Sequence, residues 1–283
     1  MDRRDFIRKA GCTLAFIVLF PSHIQSSSDE NRSEDDQLSQ SRNDIAVIFD
    51  DAGADKKGLY NLELLASEDV PCTVAVLPHS RYQKEALDML SDYRSADVLL
   101  HQPMEPINMK KRRIEQAVES YPRSEGAVYD RNMHAAIYSW DSQALGKEIF
   151  ANNLKLLNAG LSDKKQVIGF NNHTGSLLTQ DKGMMDALCT YAAEKDLIVI
   201  DSRSTDPPNA SVLYKSGIDA GCHSFYNHQF IDDYTSKRIK RWSDTVPAKN
   251  GIVLIGHIQN DEPVSAYIEI SKRYDLKKIS ELI

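Results

Sequence analysis

Only four cysteines occur in 283 residues, at positions 12, 72, 189 and 222, and no two of them form a C-x-x-C pair. Their spacing matches neither a zinc ribbon nor a disulfide scaffold, so cysteine says little about chemistry here. Positive charge is also in short supply. Lys+Arg 34 against Asp+Glu 41 leaves a net charge of -7, and no basic stripe is available to neutralise phosphates, which argues against nucleic acid as a partner. No apolar run approaches the roughly 20 residues of a membrane-spanning helix. The G-x-S-x-G elbow, H-E-x-x-H, the P-loop and G-x-G-x-x-G are all missing, leaving nucleophilic-serine and phosphoryl-transfer readings without local support. What the chain does have is 41% apolar residues, enough over this length to bury a sizeable core.

The N-terminal segment differs from the rest. Arg3, Arg4, Arg8 and Lys9 precede a largely apolar run from Gly11 to Phe20 that Pro21 ends. This reads as an export signal over 1–26, too short in its apolar part to remain as a permanent anchor. The stretch Arg3-Arg4-Asp5-Phe6-Ile7-Arg8-Lys9 resembles a twin-arginine signal, whose carriers typically cross the membrane folded; an ordinary secretory signal with extra arginines is the alternative. Residues 27–44 hold a single apolar side chain, Leu38, and cannot bury enough surface to offset the entropy of ordering, so they read as a disordered polar linker. Removing 1–26 takes away four basic and two acidic groups and leaves a charge of -9, which suits an exported, periplasmic or extracellular location.

From residue 45 onward, short apolar runs alternate with helical patterns, the order of βα units around a parallel sheet. The expected strands are Ile45–Phe49, Cys72–Leu77, Val98–Leu100, Val167–Phe170, Leu197–Ile200 and Gly251–Ile255. They are mostly continuous apolar runs, as expected of strands covered on both faces. Leu145, Ile149 and Leu156 follow helical spacing, as do Met184, Met185, Leu188 and Cys189, which makes Cys189 a core thiol. The size of 45–283 fits one (β/α) barrel of about 250 residues, although periodicity does not separate a closed barrel from an open sheet.

Function is written where these strands stop, because loops at the carboxyl ends of parallel strands converge on one face. Five endings carry metal-binding or acid/base side chains: Asp50-Asp51, His101-Gln102-Pro103, Asn171-Asn172-His173, Asp201-Ser202 and Gly256-His257. Asp and Asn commonly start turns, so one such ending means little; five, three of them with histidine, do not reduce to turns. Two carboxylates and two or three imidazoles on one face can hold a divalent ion with an open position, as catalytic zinc sites do. Adjacent strand residues point to opposite faces, so Asp50 and Asp51 both reach one site only if the strand ends there, which Ala52-Gly53 permits. Otherwise Asp50 serves a helix N-terminus and Asp51 is solvated.

These blocks, together with Val74-Ala75-Val76-Leu77-Pro78 and His101-Gln102-Pro103-Met104-Glu105-Pro106, resemble in order the divergent polysaccharide deacetylase family. Asn171-Asn172-His173-Thr174-Gly175-Ser176 is the most specific of them, and the resemblance spans 45–283. It implies an α/β fold, a distorted or incomplete (β/α) barrel, and metal-dependent removal of N-acetyl groups from a glycan. Carried over to this sequence, it makes Asp50 the general base, Asp51 and His101 ligands of a divalent metal, most simply Zn2+, and His257 the acid for the departing amine. The main deacetylases have a second histidine four residues after the first; here that position is Glu105, and His173 is the expected replacement ligand. Asp201 either orients a ligand histidine or caps the next element; Asn172, Ser176 and Glu105 are expected around the metal or the substrate. His79, His223 and His228 are spare candidates. Residues 107–141 hold Lys110-Lys111-Arg112-Arg113 and the aromatics Tyr121, Tyr129, Tyr138 and Trp140, a sugar-stacking lid or a peripheral basic helix. Phe230-Ile231-Asp232-Asp233 also resembles a family segment, with no role that the sequence reveals.

Overall fold

The computed structural model describes residues 44–107, 135–203, 212–239, 251–272 and 274–283. The export-signal and linker expectations, apart from Asp44, lie outside the described residues, as do Lys110–Arg113, Tyr121 and Tyr129.

Eight strands form one parallel sheet: β1 (Ile45–Ala52), β2 (Cys72–Val76), β3 (Ala96–Met104), β4 (Val167–Thr174), β5 (Ile198–Asp201), β6 (Ser224–Tyr226), β7 (Gln229–Phe230) and β8 (Ile252–His257). The connecting helices are α1 (Lys56–Ser67), α2 (Gln83–Asp92), α3 (Gln143–Gly160), α4 (Lys182–Glu194) and α5 (Val212–Ala220), with α6 (Asp261–Ser271) after β8. Side chains in the preceding turns start several of them: Asp55 accepts from Gly58 N at 2.8 Å, and Asp181 from Met184 N at 3.0 Å. Such caps satisfy amide groups that have no partner inside the helix.

The spatial order is β6-β5-β4-β3-β2-β1-β8-β7. β6 and β7 stand at opposite ends of that order although only Asn227 and His228 separate them in sequence. The segment Ser224–Phe230 therefore pairs first with β5, then with β8. Asn227 N donates to Asp201 O, and His228 N to Val253 O, each at 2.8 Å. The fold is an α/β incomplete barrel whose seam is spanned by this one switching segment. The apolar pattern predicts neither β6 nor β7, since three and two residues are too short to show a period.

Alternate strand residues build two cores. Val47, Phe49, Val74, Val76, Val98, Leu100 and Val199 face the helices, where Cys189 is also buried. Ala46, Ile48, Ala75, Leu99, Ile198, Ile200, Val253 and Ile255 fill the interior. Continuing the inner row to the carboxyl ends gives Asp50 on β1, His101 on β3 and His257 on β8. In β4 the register with β3 shifts beside Val98 and Leu99, which puts Phe170 in the outer core and turns Asn171 and His173 inward. Gly169 sits in this irregularity, and a Cβ there would lie 2.5 Å from Ile198 O.

The far end of the barrel is stoppered by the turn Ile279–Leu282, whose Ile279 and Leu282 pack into the inner core. Ile279 N donates to Thr73 Oγ1 at 3.0 Å and Ser280 N to Asp97 Oδ2 at 2.9 Å. Among the described residues, no helix is long and apolar enough to cross a membrane.

Candidate active site

Asp50 and Asp51 reach the same site because β1 does not end but bulges. The β1–β2 register shifts between Phe49 and Ala52, and Asp51 has φ +64°. A bulged residue in the left-handed region redirects the chain, so two successive side chains point the same way. The strand continues to Ala52, which corrects the expectation that it terminates at the carboxylate pair. Nor do the histidines follow their strands: His101 lies within β3 and His173 within β4, which extend to Met104 and Thr174.

Three atoms converge. Asp51 Oδ1 is 3.1 Å from His101 Nε2 and 2.9 Å from His173 Nδ1, and the two nitrogens are 3.1 Å apart. Despite these short separations, Asp51 Oδ1 is a buried oxygen to which no hydrogen bond of good geometry is made. Asn171 explains why. Its Nδ2 donates to Asp50 Oδ1 at 2.8 Å and to Ser202 Oγ at 3.2 Å, so its Oδ1 faces His101 Nδ1, also at 2.8 Å. His101 Nδ1 then carries a proton, and Nε2 faces Asp51. Three potential ligand atoms about 3 Å apart fit a divalent cation, and a carboxylate oxygen with two imidazole nitrogens is a donor set that zinc takes.

Electrostatics separates the two carboxylates. Burial opposes ionisation of Asp51, but the imidazoles of His101 and His173 outweigh it and hold the carboxyl well below the usual range. Asp50 is buried more completely, and burial pushes its pKa up, with His101 only partly offsetting it. Its Oδ2 lies 3.8 Å from His101 Nε2. Raised affinity for a proton beside the cluster is the property of a general base.

On the adjacent strand stands His257, paired in register with Asp50. Its Nδ1 donates to Asp232 Oδ2 at 2.8 Å, and its backbone N donates to Asp232 Oδ1, also at 2.8 Å. Asn260 Nδ2 donates to that second oxygen at 2.8 Å, and Phe230 stacks on the imidazole with ring centroids 6.2 Å apart. The hydrogen bond to Asp232 raises the His257 pKa to about 9, against the opposing effect of burial. His257 is thus a cation at neutral pH. Asp232 and Asn171 are the two residues to which sequence reasoning assigns no role. Each lies in a segment that the motifs mark, but neither shows its contact without the fold.

The remaining candidates have local duties. Asp201 continues the outer row of Val199, and its Oδ1 accepts from Arg203 N at 2.6 Å; the histidine-orienting hydrogen bond expected of it is made by Asn171. Asn172 Oδ1 accepts from Ser202 N at 2.9 Å. Ser176 Oγ accepts from Ile107 N at 2.8 Å. Glu105 Oε2 accepts from Ser139 N at 2.8 Å, and Glu105 is not part of the convergent cluster of Asp51, His101 and His173. Gly175, at φ +83°, makes the tight turn after His173 that only glycine takes without strain. His223 is exposed just before β6, His79 sits at an exposed turn, and His228 belongs to the seam. Tyr138 and Trp140 stack with centroids 4.6 Å apart.

The family model for divergent polysaccharide deacetylases matches residues 47–136 and 147–280. The chain belongs to this family. A solved structure of an uncharacterised protein from Agrobacterium tumefaciens C58 superposes on this chain with a TM-score of 0.63 at 13% identity, over 87% of this chain and 91% of that one. An uncharacterised Haemophilus influenzae protein is 28% identical over 189 residues, 67% of this chain and 55% of that protein. The chain thus spans about half the length of this curated relative. A family 4 carbohydrate esterase from Streptomyces lividans, solved with acetate, gives a TM-score of 0.43 at 11% identity, covering 81% and 86% of the two chains.

Proposed function

We propose that this protein is a metal-dependent amide hydrolase that removes N-acetyl groups from an exported or envelope glycan. The observation that carries the reading is the convergence of Asp51 Oδ1, His101 Nε2 and His173 Nδ1 at 2.9–3.1 Å between a buried carboxylate and a cationic imidazole. Those three residues would hold a divalent cation, Zn2+ in this proposal. When bound, such an ion polarises a carbonyl and makes water a nucleophile near neutral pH.

The chain's own groups supply the proton transfers. Asp50 accepts the proton of the attacking water, its carboxylate kept in place by Asn171 Nδ2. His257, on the adjacent strand β8, gives its proton to the departing amine, and Asp232 holds the ring through Nδ1 so that Nε2 is the donating atom. Product is acetate and a free amine on the sugar. Asn171 couples the two halves of this arrangement, since one amide fixes both the base and the tautomer of a ligand histidine.

The test combines elemental analysis with acetate release from chitin oligosaccharides and peptidoglycan fragments. Bound zinc with acetate release supports the reading. Zinc without release from any N-acetylated glycan moves the activity to another amide or ester, and protein free of metal after mild purification contradicts it.

A further inference from the structure

The barrel's seam contains a polar device that the proposed reaction does not use. Where Ser224–Phe230 leaves β5 for β8, two side chains take over from the strand ladder and bind backbone groups. Arg203 Nη1 donates to Asn227 O at 2.9 Å and lies 3.5 Å from His228 O. His228 Nδ1 accepts from Val253 N at 3.1 Å, which requires a neutral ring, and burial lowers the pKa of that ring. Both groups are tied to the aromatic wall of the switch: the Arg203 guanidinium lies 5.8 Å from the Tyr226 ring centroid, and Tyr226 stacks on His228 at 4.7 Å. Arg203 is aimed there by a backbone turn with φ +55°, closed by its own N–H donating to Asp201 Oδ1 at 2.6 Å. A non-glycine residue adopts that conformation at a cost, and the Arg203 Nε is buried without a partner besides. So costly an arrangement is accounted for by what it holds.

What it holds is the approach to His257. Directly beyond the switch, β7 delivers Phe230 to one face of the imidazole, and the following turn delivers Asp232 to its Nδ1. We propose that Arg203 and His228 are positioning residues for His257, stapling the strand switch so that Phe230 and Asp232 are held against the imidazole. Asp201 acts one step further back, by fixing the turn that aims Arg203. This rests on the assignment of His257 as proton donor, but its geometry is independent of any substrate. The charged groups around the imidazole are Asp232 from the turn and, from β1, Asp50 and Asp51; the staple acts on the first of these alone.

The test is titration of the His257 imidazole by NMR in the full histidine-labelled chain, with metal content measured on the same samples. Wild type should titrate above the usual histidine value, because of the hydrogen bond to Asp232. R203M should fall by about one pH unit or more, as expected when a charge partner is loosened, while metal content stays unchanged; D232N calibrates the full loss. R203K, which keeps the charge and one donor nitrogen, and H228Q should fall between R203M and wild type. An R203M midpoint equal to wild type overturns the proposal, as does loss of metal together with the shift. If R203M does not fold, R203K and H228Q decide the question, and wild-type midpoints in both overturn the proposal. Because no turnover is needed, failure of the deacetylase reading leaves this result interpretable.

Discussion

Asp50 and His257 stand side by side, in register on β1 and β8, with opposite roles in the proposed reaction, and each should fail in its own way when altered. Asp50→Asn keeps the volume of the side chain but cannot accept a proton. It should retain the metal and lose about 10²–10⁴ in turnover, the usual contribution of a general base; acetate release alongside elemental analysis reads both, and loss of metal would move Asp50 among the ligands. His257 works as an acid only while protonated. Because Asp232 raises its pKa to about 9, activity should persist through neutral pH and fall as pH rises through that value. Asp232→Asn removes the charge that favours the cation, so the fall should move down toward the usual histidine value near about 6.5. A pH–rate profile whose alkaline limb is unmoved in Asp232→Asn would show that another group supplies the proton.

At the scale of elements, the carboxyl ends carry chemistry and the amino ends carry stability. Ile279 is fully buried in the inner core and tied to Thr73, at the end of the barrel away from the candidate site. Ile279→Ala should cost about 2–5 kcal/mol, the range for a buried Leu or Ile to Ala change. Calorimetry should show a lower Tm with metal stoichiometry unchanged; a coupled loss of metal would mean that the stopper supports the site. The same division shows what is legible in the sequence. Apolar runs mark six of the strands because both faces of each are buried, but such runs do not show that the strand period of two sets Asp50, His101 and His257 on one inner row. Asp51 breaks that period, and only the bulge at φ +64° brings it in. Asp201 shares the parity of outward-facing Val199, which is why Asn171 and not Asp201 meets His101. The strand switch at Asn227 and His228 leaves no periodic trace, so nothing in the sequence brings Asp232 to His257.

For the whole molecule, the core is closed by elements that begin at β1, and Leu38 is the only apolar side chain from 27 to 44. A fragment starting at Asn43 should therefore unfold at the same temperature as the chain starting at Ser27, within a few degrees; a larger drop would show that the polar segment packs against the barrel. The proposed function draws on three side chains from three strands, β1, β3 and β4, which the fold brings within about 3 Å of one another. Glu105, the residue at the spacing where the main deacetylases place a histidine, is engaged by Ser139 N instead. The decisive measurement is the zinc content per chain of wild type, His173→Ala and Glu105→Gln purified side by side. One ion in wild type and in Glu105→Gln, with none in His173→Ala, is the predicted result. An ion retained in His173→Ala and lost from Glu105→Gln would contradict the site described here.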